Sequence, residues 1–244
     1  APDSQSTSIA LYTIGFDGAL GSLTPSAVST TDCPISFKTN FTDSKLYLIS
    51  CSRAALNSTH VNLDQFTISS NGALSNKAVA FNLSNESTIG ELAALEVHPA
   101  KDFVYSTFTG TNSTRIYQFG VNNSDELTTL SPSYITISGE LASQLYIDPK
   151  GKFLYSLDAN KNIHLLAIGS DGKLAYKKKI AGIGPTTPLD PLDFNIAAKN
   201  FIFSPNGKFA FILNGGNTIN TYSVTSEGDL TKASSISASV ASIA

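Results

Sequence analysis

The feature that most constrains this chain is a pair of short motifs that recur in step about every fifty residues. Asp-Gly-Ala-Leu at 17–20 returns as Asn-Gly-Ala-Leu at 71–74, Asp-Gly-Lys-Leu at 171–174 and Glu-Gly-Asp-Leu at 227–230, with Ser-Asp-Glu-Leu at 124–127 as a degenerate copy. A second ladder reads Phe203-Ser-Pro-Asn-Gly-Lys-Phe209, Ile147-Asp-Pro-Lys-Gly-Lys-Phe153 and Val97-His-Pro-Ala-Lys-Asp-Phe103, with Asn40-Phe-Thr-Asp-Ser-Lys-Leu46 as its weakest member. Periods of this size mark stacked supersecondary units.

Each unit reads as four short strands. The Pro-X-Gly turn reverses the first into the second, because Pro presets φ and Gly accepts a positive φ later in the turn. A third strand ends at the Asp-Gly step and a fourth starts at its Leu. The third strand is apolar on both faces. Tyr12, Phe66, Phe119, Leu166 and Tyr222 are equivalent, and Ile14, Ile68, Val121, Ile168 and Val224 follow two residues later on the same face. The opposite face carries Ile9, Leu63, Ile116, Ile163 and Ile219. A sheet apolar on both sides must be covered on both, which face-to-face stacking of sheets around an axis achieves. The expected fold is therefore all-β, a β-propeller of about five four-stranded blades within one domain, 1–244. A β-sandwich is the alternative, but sandwiches rarely repeat a fifty-residue unit. Full repeats are expected near 35–81, 92–137, 143–180 and 200–236. Residues 8–28 match only the second half of a repeat, and 237–244 are expected to close that blade or to be donated to a neighbouring chain.

The combination of Ser-Pro-Asn-Gly-Lys-Phe, an aromatic-X-aliphatic triplet closing the third strand, and Gly-X-Leu resembles the lactonase family of propellers, the 6-phosphogluconolactonase-like proteins and the fungal muconate-lactonising enzymes. The resemblance runs from Ile35 to Ile236. It implies a seven-bladed fold, whereas this chain has material for about five. It also implies a Pro-Arg-His stretch before the Phe-X-Phe-X-Pro-X-Gly strand, with basic residues at the active site. The matching stretches here are Ala198-Lys199-Asn200 and Leu141-Ala142-Ser143-Gln144, without Arg or His. No catalytic residue carries over.

Only 14% of the residues are charged and the net charge is −3. No basic patch points to nucleic acid, and no apolar run approaches the roughly 18 residues of a membrane span. The chain opens Ala-Pro-Asp-Ser and holds no Met, which reads as a mature chain after removal of a secretion signal. Cys33 and Cys51 flank a hairpin centred near Thr42 and should face each other, close enough for a disulfide; two buried free thiols are the alternative. Sequons stand at Asn40, Asn57, Asn82, Asn85, Asn112 and Asn122. Together these features predict a secreted, disulfide-bonded glycoprotein.

Chemistry is sparse. No HExxH, paired CxxC, phosphate-binding glycine loop or GxSxG occurs, and no cofactor or metal is expected. His98 reads as a turn former and His164 as a satisfied strand residue, and His60 lies in a Ser/Thr-rich connection. Lys177-Lys178-Lys179 reads as protection of an outer strand edge. The connection 181–199 carries Asp190 and Asp193 among three prolines, a candidate ligand loop or a set of turn caps. The expectation is a secreted non-catalytic scaffold, a homo-oligomer or polymer that assembles by strand sharing at its incomplete blade. A lactonase-like hydrolase or isomerase with a diverged site, and a carbohydrate- or protein-binding module, are the alternatives.

Overall fold

The computed structural model describes residues 8–30, 33–51, 61–82, 94–109, 113–139, 142–158, 160–183, 201–214 and 218–237. Four antiparallel four-stranded sheets follow one another along the chain. Blade 1 holds β3 (Cys33–Thr39), β4 (Lys45–Cys51), β5 (Val61–Ile68) and β6 (Leu74–Asn82). Blade 2 holds β7 (Leu95–Val97), β8 (Phe103–Thr109), β9 (Ser113–Val121) and β10 (Leu127–Ser138). Blade 3 holds β11 (Ala142–Ile147), β12 (Phe153–Asp158), β13 (Ile163–Ile168) and β14 (Leu174–Ile180). Blade 4 holds β15 (Phe201–Phe203), β16 (Phe209–Asn214), β17 (Thr218–Val224) and β18 (Leu230–Ser237). Ahead of them β1 (Ser8–Ile14) and β2 (Leu20–Ser29) form a two-stranded half-blade. This is the all-β propeller arrangement that the repeats predict.

The turns explain the second ladder. The residue before each Pro, or its counterpart, accepts backbone N–H groups across the turn. Asp148 Oδ1 takes those of Lys152 and Phe153, both at 2.7 Å. Ser204 Oγ takes that of Phe209 at 3.0 Å. Asn40 Oδ1 takes those of Ser44 and Lys45 at 2.9 and 3.0 Å. His98 fills the same position, and its Nδ1 accepts from Ala100 N at 3.1 Å. The proton of the ring therefore sits on Nε2, which donates to Gly151 O of the next blade at 3.0 Å. Burial lowers the pKa of His98, with the Gly151 contact opposing it. It is a neutral turn residue, as expected.

The blades pack as the two-faced third strands require. Leu46, Leu48, Phe66 and Leu74 of blade 1 meet Ile9, Leu11 and Val28 of the half-blade. Tyr47, Ile49 and Leu63 meet Leu95, Val104 and Phe119 of blade 2. Tyr105, Ile116 and Ile137 meet Leu154, Leu166 and Leu174 of blade 3. Tyr155, Leu157 and Ile163 meet Phe201, Ile212 and Tyr222 of blade 4.

A polar latch repeats on this packing. Tyr105 Oη donates to Gly172 O at 2.7 Å, and Tyr155 Oη donates to Gly228 O at 2.8 Å, each reaching the turn between the third and fourth strands of the following blade. Burial pushes both phenols well above the usual tyrosine range, so they stay protonated donors. Tyr155→Phe leaves the Gly228 carbonyl without this partner. Its expected cost is about 1 kcal/mol in urea unfolding, with the fold unchanged.

Candidate functional site

Strand order fixes what can face the axis. The first strands of successive blades touch one another, β3 with β7 and β7 with β11, more closely than the outer strands β6 and β10 do. The first strands are therefore the inner wall. One position recurs on this wall, two residues before each turn acceptor. Lys38, Glu96, Tyr146 and Ile202 occupy it, opposite Tyr47, Tyr105, Tyr155 and Phe211 of the neighbouring strands.

Three of these form a polar cluster that no local pattern announces. Lys38 Nζ donates to Glu96 Oε1 at 2.9 Å, across two blades. Tyr146 Oη donates to Gln144 Oε1 at 2.9 Å. Burial first, and then the Glu96 carboxylate, push the Tyr146 phenol well above its usual value, against a hydrogen bond from the Phe201 backbone. Its ring lies against Phe201, centroids 5.0 Å apart. Ile202 adds an exposed aliphatic surface to the wall. The cluster thus offers a cation, a carboxylate and a neutral phenol within one inner surface.

A second cluster lies within blade 3, on its second to fourth strands and the turn between the second and third. His164 Nε2 bonds Asp158 Oδ2 at 3.0 Å, and His164 Nδ1 lies 3.3 Å from Tyr176 Oη. Asn160 N and Asn162 N each donate to Asp158 Oδ1 at 2.8 Å, and Asn162 Nδ2 donates to Oδ2 at 2.9 Å. Burial alone would raise the Asp158 pKa. The hydrogen bonds from His164 and Asn162 outweigh it and hold the carboxyl at about 2. Blade 1 fills the same two positions with Ser50 and Asp64, Oγ to Oδ2 at 3.2 Å, and blade 2 with Phe108 and Tyr117, edge to face at 4.9 Å. A slot that accepts three chemistries is a packing position, so His164 is a satisfied strand residue, as the sequence predicts.

Because the folded pKa of Asp158 is below its unfolded value, its contribution to stability is fully present above the unfolded value. It drains away as pH falls toward about 2. Unfolding free energy measured by urea between pH 6 and pH 2 should show this acid limb, and Asp158→Asn should flatten it.

The other predicted positions are dispersed. Register sets Cys33 opposite Cys51, as the hairpin arithmetic requires. Asn40 is buried, with its amide bonded to Thr42 at 2.9 Å and to Asp102 of the next blade at 3.3 Å. Such a side chain has no room for a glycan, and that expectation is withdrawn. Asn122 is an exposed turn residue whose Oδ1 accepts from Ser124 N and Glu126 N. Asn82 donates to Asn62 Oδ1 at 2.7 Å. Asn57, Asn85, Asn112, His60, Asp190 and Asp193 lie outside the described residues. Among the described residues no His, Cys, Asp and Glu group is arranged to hold a metal. Lys177 and Lys178 do more than guard an edge: they pair with Glu227 at 3.1 Å and Asp229 at 2.5 Å on the next blade.

No family model matches the sequence, and no curated protein matches it. Solved structures do. A candidate 6-phosphogluconolactonase from Bacteroides fragilis NCTC 9343 superposes with a TM-score of 0.68 at 17% identity, over 95% of this chain and 64% of its own. Another, from Bacteroides uniformis ATCC 8492, gives 0.70 at 17% identity over 97% and 67%. The periplasmic gluconolactonase of Pseudomonas aeruginosa gives 0.65 at 16% identity over 93% and 63%. The chain spans only about two thirds of the length of these proteins.

The fold is that of the lactonase-like β-propellers. The expectation of a non-catalytic scaffold is thereby corrected. The three structures named above carry gluconolactonase or candidate 6-phosphogluconolactonase descriptions, which favour the lactonase-like alternative over the scaffold.

Proposed function

We propose that this protein is a lactonase-like hydrolase whose site is the inner wall at Lys38, Glu96 and Tyr146. The observation that carries the reading is the Lys38–Glu96 pair at 2.9 Å, beside a phenol kept protonated by burial and by that same carboxylate. Lactone hydrolysis needs three things at one place: a base for water, positive charge for the oxyanion, and a proton donor for the leaving oxygen. Glu96 takes a proton from water as the water oxygen attacks the lactone carbonyl. The Lys38 ammonium has three donors, so it can hold Glu96 with one and the oxyanion with another. Collapse of the tetrahedral intermediate breaks the ring C–O bond. Tyr146 donates a hydrogen bond to the departing alkoxide, and the proton held by Glu96 completes the alcohol. The product is the open hydroxy acid. No atom or electron is needed beyond lactone and water.

The test is turnover of a panel of γ- and δ-lactones, followed by acid release at constant pH, with Glu96→Gln as the comparison. Acid release from at least one lactone that Glu96→Gln loses supports the reading. Equal rates in the two proteins overturn it.

An exported location fits the same reading. Its supports are the opposed Cys33 and Cys51, which a disulfide would join, the sequons at Asn82 and Asn122, and the periplasmic address of one structural neighbour.

A further inference from the structure

Blade 3 carries an arrangement that the other four-stranded blades lack. At the third position of each fourth strand, register sets Asn76 opposite Phe66, Thr129 opposite Phe119, Tyr176 opposite Leu166 and Lys232 opposite Tyr222. Only blade 3 places a phenol there. That phenol reaches the buried Asp158–His164 pair and gives it an end at the surface.

Two hydrogen bonds fix where the protons lie. The Asp158 carboxyl, with its pKa held at about 2, is ionised and can only accept. His164 Nε2 therefore carries the ring proton and donates to Asp158 Oδ2 at 3.0 Å. Its Nδ1 is left as a lone pair, and Tyr176 Oη donates to it at 3.3 Å. Phenol, imidazole and carboxylate thus run from surface to interior: Tyr176 is 50% exposed, His164 2% and Asp158 3%. In this order the imidazole can take the phenol proton, and the buried carboxylate steadies the imidazolium that results.

A phenol that loses an electron becomes strongly acidic at its hydroxyl. The electron therefore leaves most readily where a base can receive the proton in the same step. Of the nine tyrosines, only Tyr12 and Tyr176 are exposed. Tyr12 is the more open of the two, at 60%, but its phenol makes no hydrogen bond to a described residue. Tyr176 alone combines access from solvent with a built-in proton acceptor.

We propose that Tyr176 is a radical-forming modification site, oxidised at the surface by outer-sphere one-electron oxidants and then coupled to a phenol. The electron passes from the ring to the oxidant. The O–H bond breaks, and its proton moves to His164 Nδ1, giving an imidazolium paired with Asp158. The tyrosyl radical meets a second phenoxyl radical that the same oxidant has made from a small phenol. A carbon–carbon bond forms between their ortho positions. The ortho hydrogen of each ring moves to its own oxygen, which restores both phenols, and His164 returns its proton to solvent. Two electrons go to two oxidant molecules and two protons go to water. His164 and Asp158 are positioning residues in this chemistry, in addition to filling their slot in the blade.

The experiment treats the whole chain with hexachloroiridate(IV) and N-acetyltyrosinamide near neutral pH and locates the coupled phenol by peptide mass. Coupling at Tyr176 should exceed that at Tyr12 by roughly tenfold, a modest share of what a positioned proton acceptor supplies. Raising phosphate at constant ionic strength should speed coupling at Tyr12, which depends on a base from solution, and leave Tyr176 unchanged. His164→Gln keeps a donor for Asp158 but offers no basic nitrogen. It should bring Tyr176 down to the level of Tyr12 and make it respond to phosphate, and Asp158→Asn should fall between. The lysines beside Tyr176 are the same in every variant, so attraction of the anionic oxidant cancels. Coupling that follows exposure, greater at Tyr12 than at Tyr176, overturns the proposal. So does a Tyr176 that responds to phosphate as Tyr12 does in the unaltered chain, a comparison that stands even if His164→Gln fails to fold.

Discussion

Glu96→Gln is expected to lower lactone turnover by roughly two to four orders of magnitude, which is the usual weight of a positioned general base. Glutamine keeps the length and planarity of the side chain. Its carbonyl oxygen still accepts from Lys38, so the wall keeps its shape and the cation keeps its place. What disappears is the capacity to take a proton from water. The loss should therefore fall on kcat, with KM changed little, the signature of an interaction needed only at the transition state. Stability should hold, because the residue is partly exposed and its partner stays satisfied. A matching rise in KM with kcat intact would instead assign Glu96 to substrate binding.

Asp158→Ala is expected to be the most destabilising polar substitution, by about 3–5 kcal/mol in urea unfolding. Its carboxylate accepts from Asn160 N, Asn162 N, Asn162 Nδ2 and His164, all within 3.0 Å. Alanine leaves two backbone N–H groups and a buried imidazole without that acceptor at once. The cost belongs to the broken pair and not to charge as such. Replacing both partners, Asp158→Leu with His164→Leu, should recover only the part of the loss due to the stranded imidazole, because the Asn160 and Asn162 N–H groups still lack the carboxylate. Asp158→Asn should cost less than Asp158→Ala and should retain lactone turnover. That retention separates the outer cluster from the inner wall, since a catalytic His164–Asp158 pair would lose activity with either change.

The blades were legible because their determinants are local. Pro-X-Gly and Asp-Gly turns act within a few residues, and the alternation along each third strand reports both of its faces. Cys33 and Cys51 could be placed opposite each other because a hairpin register is arithmetic. The half-blade, too, was visible in the missing first half of its repeat. The inner wall was not. Lys38 and Glu96 lie 58 residues apart and sit in runs that read as ordinary strand. Only the curvature of the stack brings two first strands side by side. The usable signal was positional: each wall residue lies two before a turn acceptor, and reading Lys38, Glu96, Tyr146 and Ile202 as one column would have exposed the cluster. Asn40 was misread for the opposite reason. Its sequon is a local pattern, but the same side chain is the acceptor that builds the turn. His164 was read correctly as satisfied, although its partner six residues earlier was not named.

The most direct test is crystallography of Glu96→Gln soaked with a lactone that the unaltered protein hydrolyses. The variant should hold the ring intact on the inner wall, its carbonyl oxygen within hydrogen-bonding distance of Lys38 Nζ and its ring oxygen toward Tyr146 Oη. A lactone seated elsewhere in the molecule, with the inner wall empty at saturating concentration, would contradict the assignment of this wall as the site.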